Sequence, residues 1–128
     1  MKILLDTHIF LYYISADKRL PDSLRGLIQD TTNEVYLSVV SVWEITVKYQ
    51  LGKLPLPESP LTYIPKQRKR HAILPLALDE DSVSGLLSLP DIHRDPFDRM
   101  LICQAWHSSL VLASLDSFVR DYPIPILP

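Results

Sequence analysis

Apolar runs alternate along the chain with proline-rich or charged stretches, and the spacing within each run separates strands from helices. "KILL", Lys2–Leu5, is short and continuous, as in a strand covered on both faces. "THIFLYYIS" follows at once, with bulky residues spaced for a helix from about Thr7 to Ser15. In "PDSLRGLIQD", Pro21 opens a second helix whose Leu24, Leu27 and Ile28 share a stripe. "EVYLSVV" is rich in β-branched and aromatic residues and predicts a strand ending near Val40. "SVWEITVKYQLGKL" predicts a helix that starts at Ser41 and is closed by Gly52. The next segment holds Pro55, Pro57, Pro60 and Pro65, so it is expected as a loop with a short helix before the basic run "KQRKRH".

The second half repeats the pattern. "AILP" has room for a small strand, and "DEDSVSGLLSLP" has an acidic start and a leucine-rich end that suit a helix. Pro96 opens a helix reaching about Trp106, and "LVLAS" predicts a buried strand. "LDSFVRDY" is expected as a helix of about two turns, and "PIPIL" as an edge strand, where proline need not donate to a ladder. Continuous apolar strands alternating with helices predict an α/β fold with a mainly parallel central sheet flanked by helices. Its 128 residues are enough for one core and too few for two, so residues 1–128 are expected to form a single domain.

Charge and cysteine usage narrow the function. With 13 Lys and Arg against 15 Asp and Glu, the net charge is −2, which excludes a polycation that coats nucleic acid by charge alone. The single Cys103 lies in the apolar run "MLICQAW", which argues against a disulfide framework and fits a reducing compartment. The apolar start is interrupted by Asp6 and His8, and no later apolar run reaches spanning length, so a cytoplasmic protein with no membrane partner is expected.

Parallel sheets carry their sites at the carboxyl ends of the strands. Four acids fall at such turns: Asp6 after the first strand, Glu44 after the second, Asp98 in "HRDPFDR", and Asp116 after "LVLAS". Each also has a local explanation. Asp6 can cap a helix, and Ser41 with Glu44 has capping-box spacing. Asp95 can cap the helix that Pro96 opens, which leaves Asp98 and Asp116 as first-turn acids facing a helix dipole. Capping alone does not explain why "LLDTHIF", "VSVWEIT" and "PFDRMLI" each set a carboxylate inside a hydrophobic stretch, where an uncompensated charge is costly. A bound Mg²⁺ or Mn²⁺ would offset that cost, and the chemistry such a site performs is phosphodiester hydrolysis. No zinc-type spacing is present. Of His8, His71, His93 and His107, only His8 is expected close to these acids, in a packing or supporting role.

"MKILLDTHIFLYY", "LSVVSVWEITVKYQLGKL", "HRDPFDRMLICQA" and "LASLDSFVRDYPIPIL" arrive in an order that resembles the PIN-domain family, specifically the VapC-type toxins of bacterial toxin–antitoxin pairs. The resemblance implies a metal-dependent endoribonuclease using Mg²⁺ or Mn²⁺, with Asp6, Glu44, Asp98 and Asp116 as catalytic and metal-binding residues. It also implies a homodimer, and a cognate antitoxin whose inserted peptide blocks the acidic groove. Thr7 and Ser114 are expected to support the acids. The family often carries Thr two residues before the last aspartate; Ser114 keeps the hydroxyl and loses the methyl that fixes its rotamer. For the RNA backbone the candidates are Lys66, Arg68, Lys69 and Arg70 in the basic run, with Lys48 and Lys53 nearer Glu44. The alternatives are a catalytically silent PIN-fold interaction module, a metal-dependent DNA nuclease, and an aspartyl phosphohydrolase. The last is disfavoured because His8 stands where its second aspartate belongs.

Overall fold

Strands with no polar face need cover on both sides, and the helices supply it. The computed structural model describes all of residues 1–128. Its strands are β1 (Lys2–Leu5), β2 (Glu34–Ser38), β3 (Leu74–Leu76), β4 (Val111–Ala113) and β5 (Ile126–Leu127). All pair in parallel, in the order β3-β2-β1-β4-β5, so the first strand is the central one. The helices are α1 (Thr7–Ile14), α2 (Asp22–Gln29), α3 (Val39–Gln50), α4 (Pro60–Arg70), α5 (Glu80–Ser84) and α6 (Pro96–His107), with 3₁₀ turns at Gly85–Ser88 and Val119–Asp121.

The two-residue period of β1 divides the core. Ile3 and Leu5 face a cluster that includes Phe10 of α1, Leu24 of α2 and Ile64 of α4. Leu4 faces the other way, onto Leu101, Ile102 and Ala105 of α6. All three strand residues are fully buried, each worth roughly 1.5–3 kcal/mol of transfer free energy. No helix is long and apolar enough to cross a membrane.

Four element boundaries differ from those expected. Ser38, not Ser41, is the cap of α3: its hydroxyl accepts from the Val40 N–H at 3.0 Å, so the helix starts at Val39 and β2 ends at Ser38. Ser41 and Glu44 therefore form no capping box and lie buried. Helix α4 runs on through the basic residues to Arg70, because Ser59 caps it, Pro60 suits its first turn and the cations in its last turn complement the dipole. "DEDSVSGLLSLP" splits into α5 and a 3₁₀ turn, and "LDSFVRDY" makes only the 3₁₀ turn Val119–Asp121. Here Tyr122 is buried and extended, which ends the turn early.

Four of the six helices end in one geometry. After α3, Gly52 has φ +71°, its N–H donates to Tyr49 O at 3.0 Å, and the Lys53 N–H donates to Lys48 O at 2.9 Å. Ala16, Ala72 and Ser109 take the same left-handed position after α1, α4 and α6, with φ of 52°, 54° and 55° and the same pairs of bonds.

Candidate active site

Asp6 follows β1 directly, and its Oδ1 accepts from the Ile9 N–H at 2.8 Å, capping α1. The residue is only 5 % exposed. Burial pushes its pKa up and nearby Asp116 adds to this, while hydrogen bonds from Ser114 and Ile9 and the charge of His8 pull it down. Asp95 caps α6, accepting from the Phe97 and Asp98 N–H groups at 2.9 and 3.0 Å, which leaves Asp98 in the first turn. Burial, with the Asp95, Asp6 and Asp116 charges adding to it and the His93 hydrogen bond opposing it, pushes the Asp98 carboxyl up to about 6. Asp116 is exposed, and its Oδ1 accepts from the Phe118 N–H at 2.8 Å. Ser114, fully buried just after β4, accepts the Asp116 N–H at 3.1 Å, and the same side chain helps to lower the Asp6 pKa, so it serves two of the acids.

Glu44 is placed differently. The Thr7 hydroxyl reaches its Oε1 at 2.6 Å and lies 3.0 Å from Ser41 Oγ, while Lys48 Nζ meets Oε2 at 2.5 Å. Its buried charge is thus matched by the protein, one helical turn away. The three aspartates have no lysine or arginine paired with them. No three His, Cys, Asp or Glu groups converge tightly enough to hold an ion by themselves. The donors are all carboxylates carrying surplus negative charge, which fits a hard divalent cation that keeps several waters and takes one or two carboxylates.

His93, not His8 alone, stands at this site. Its Nε2 lies 3.3 Å from Asp98 Oδ2 and its Nδ1 2.8 Å from the Tyr122 hydroxyl. Arg99 donates to the same hydroxyl at 2.8 Å, so the Tyr122 proton is directed to Nδ1 and the imidazole keeps its own proton on Nε2, toward Asp98. The ring also stacks on Phe118, with centroids 5.7 Å apart and planes at 15°. Sequence spacing offered one weak signal: a residue two before a helix cap passes close to that helix's first turn. Tyr122 carried none.

A family model described as the PIN domain matches residues 3–124. The chain belongs to the PIN-domain family. A ribonuclease named VapC16 from Mycobacterium tuberculosis (strain ATCC 25618 / H37Rv) is 44 % identical over 55 residues, a stretch covering 43 % of this chain and 39 % of that protein's length. Among solved structures, a chain of the VapBC2 complex of Rickettsia felis bound to a promoter DNA fragment superimposes with a TM-score of 0.72 at 16 % identity, covering 99 % of this chain and 98 % of its own. A chain of DNA-bound VapBC from Salmonella typhimurium gives 0.72 at 20 % identity, covering 99 % and 97 %. These likenesses concern the fold.

The basic residues of this PIN domain are spread over distinct places. Lys48 is bound to Glu44, and Lys53 lines, with Thr7, His8, Lys48 and Tyr63, a cleft of about 640 Å³. Lys66 pairs with Glu58 at 2.7 Å, and Arg68 lines a separate groove of about 980 Å³ between α3, α4 and β3. Because α4 ends just before β3 begins, Arg68, Lys69 and Arg70 sit toward the amino ends of the strands. The acids sit at the carboxyl ends.

Proposed function

We propose that this PIN domain is a Mg²⁺- or Mn²⁺-dependent endoribonuclease that acts as the toxin of a toxin–antitoxin pair. The observation carrying this reading is the group Asp6, Asp98 and Asp116 at the carboxyl end of a parallel sheet: Asp6 is buried, Asp98 half-buried, and the Asp116 charge helps to raise the pKa of both. One or two of these carboxylates would hold the ion directly and the others through its waters, with Glu44 alongside. When bound, the ion supplies an acidified water and shields the phosphate charge. The chain's own groups set the frame: Ile9 and Ser114 fix Asp6, Asp95 and His93 fix Asp98, and Thr7 and Lys48 orient Glu44.

RNA as substrate is supported by the partial likeness to a ribonuclease. A cognate antitoxin is supported by the fold shared with chains of VapBC complexes. A homodimer is supported by exposed Val39 and Trp43 on α3. The unpaired Cys103 thiol and an RNA substrate both agree with a cytoplasmic location.

The test is cleavage of RNA and DNA side by side by the purified chain, with Mg²⁺ or Mn²⁺ and after exhaustive chelation. RNA is expected to be cut only with metal present. Undiminished cleavage after chelation overturns the metal requirement, and cleavage of DNA alone replaces the substrate.

A further inference from the structure

A carboxylate cluster repels a polyanion, so an RNA needs holds beside the scissile bond that are not carboxylates. An aromatic face can stack on a nucleobase without charge cost. The Phe118 side chain is 54 % exposed and joins neither apolar cluster, although Val119 and Tyr122 beside it in sequence are buried at 1 % and 3 %. Two ties nonetheless fix it. Its backbone N–H is held by Asp116, and its ring lies on the His93 ring, which Asp98 and Tyr122 hold in turn. Phe118 is therefore locked to two of the three aspartates, one through its backbone and one through the stack. The other exposed aromatic near an acid, Trp43, meets Phe97 edge-on at 76° and shares its helix with exposed Val39, a surface of apolar rather than stacking character.

Resting on the endoribonuclease reading, we propose that Phe118, backed by the His93 ring, is a base-stacking subsite for an unpaired nucleobase next to the scissile phosphate of RNA. The face offers no hydrogen-bonding group, so it takes any base and favours none by its edge. His93 is a positioning residue here: it sets the plane of the Phe118 ring and touches no base itself.

The test compares wild type with Phe118→Leu, which keeps apolar bulk and loses the π-face, and with Phe118→Tyr and Phe118→Trp, which keep it. KM and kcat are measured on a single-stranded RNA oligonucleotide at saturating Mg²⁺ or Mn²⁺, with folding checked by thermal melt. Phe118→Leu is expected to raise KM on the order of tenfold with kcat nearly unchanged, and Phe118→Tyr to retain the wild-type KM. An unchanged KM in Phe118→Leu, or an equal loss in Phe118→Tyr, overturns the subsite. A second arm does not depend on cleavage: the same oligonucleotide is titrated, in chelator, into Phe118→Trp and into wild type. Fluorescence quenching beyond that of wild type supports stacking even if wild type cuts no RNA, which would sink the endoribonuclease reading alone. Equal quenching in the two proteins overturns the stacking.

Discussion

Asp98 carries two physical roles that a single substitution separates. Its carboxyl pKa is about 6, above the ordinary 3.8, so the folded chain holds that proton more tightly than the unfolded chain does. The metal-free protein therefore gains stability from this group as pH falls from about 7 through 6 toward 4, and carries the cost of a buried, mutually repelled charge at neutrality. With water reaching its open side, that cost is on the order of 1–2 kcal/mol. Asp98→Asn is expected to melt higher than wild type at neutral pH without metal, with the gap closing toward about pH 5. On the proposed function it is also expected to lose RNA cleavage, and to show none of the rise in melting temperature on adding Mg²⁺ or Mn²⁺ that is expected of wild type. Were Asp98 only a dipole acid, the change would lower stability by roughly 0.3–1 kcal/mol and spare cleavage. Asp95→Asn is the control, since Asn caps nearly as well as Asp; melts at two pH values and a cleavage assay read both outcomes.

At the scale of elements, the left-handed residues after the helices are the point of strain. Ala72 at φ 54° places a β-carbon where glycine has none, at a cost of about 1–2 kcal/mol. Ala72→Gly is expected to raise stability by roughly 0.5–1 kcal/mol, after subtracting the extra freedom glycine gives the unfolded chain; a denaturant midpoint measures it. Elements with local signals were legible in sequence: β1 and β4 as continuous apolar runs, α6 from Asp95 and Pro96, the end of α3 from Gly52. Where two local signals competed, burial decided. Ser41 read as the cap of α3, but Ser38 takes that place and Ser41 is drawn instead into contact with Thr7. The basic run read as surface loop because prolines precede it, yet its own residues are good helix formers and α4 continues through them. Of the candidate site, Asp6 and Asp116 were legible because each follows a strand, and Asp98 because it falls in the first turn of a helix with a clear cap. The contact of His93 with Tyr122 was not, since a distant segment has to fold back to make it.

For the whole molecule, α3 carries one exposed apolar stretch, with Val39 and Trp43 both open to solvent. Trp43 is 58 % exposed, and the 980 Å³ groove between α3, α4 and β3 lies along the same helix. Sedimentation equilibrium at tens of micromolar is expected to give a dimer, and Trp43→Glu to shift it to monomer with little change in melting temperature; a monomeric wild type would count against the proposed assembly. The sheet order has a different kind of consequence, in time. The central strand is the first one made, but Ile3 pairs with Val111, and Asp116 is about 110 residues behind Asp6. Pairing at such separation is slow, and it cannot begin on the ribosome until β4 has emerged. A nascent or prematurely ended chain holds Asp6, Glu44 and at most Asp98, with no β4 to draw Asp116 and Ser114 beside them. An unfinished copy therefore lacks the assembled acidic site, which waits for β4 and the turn that follows it.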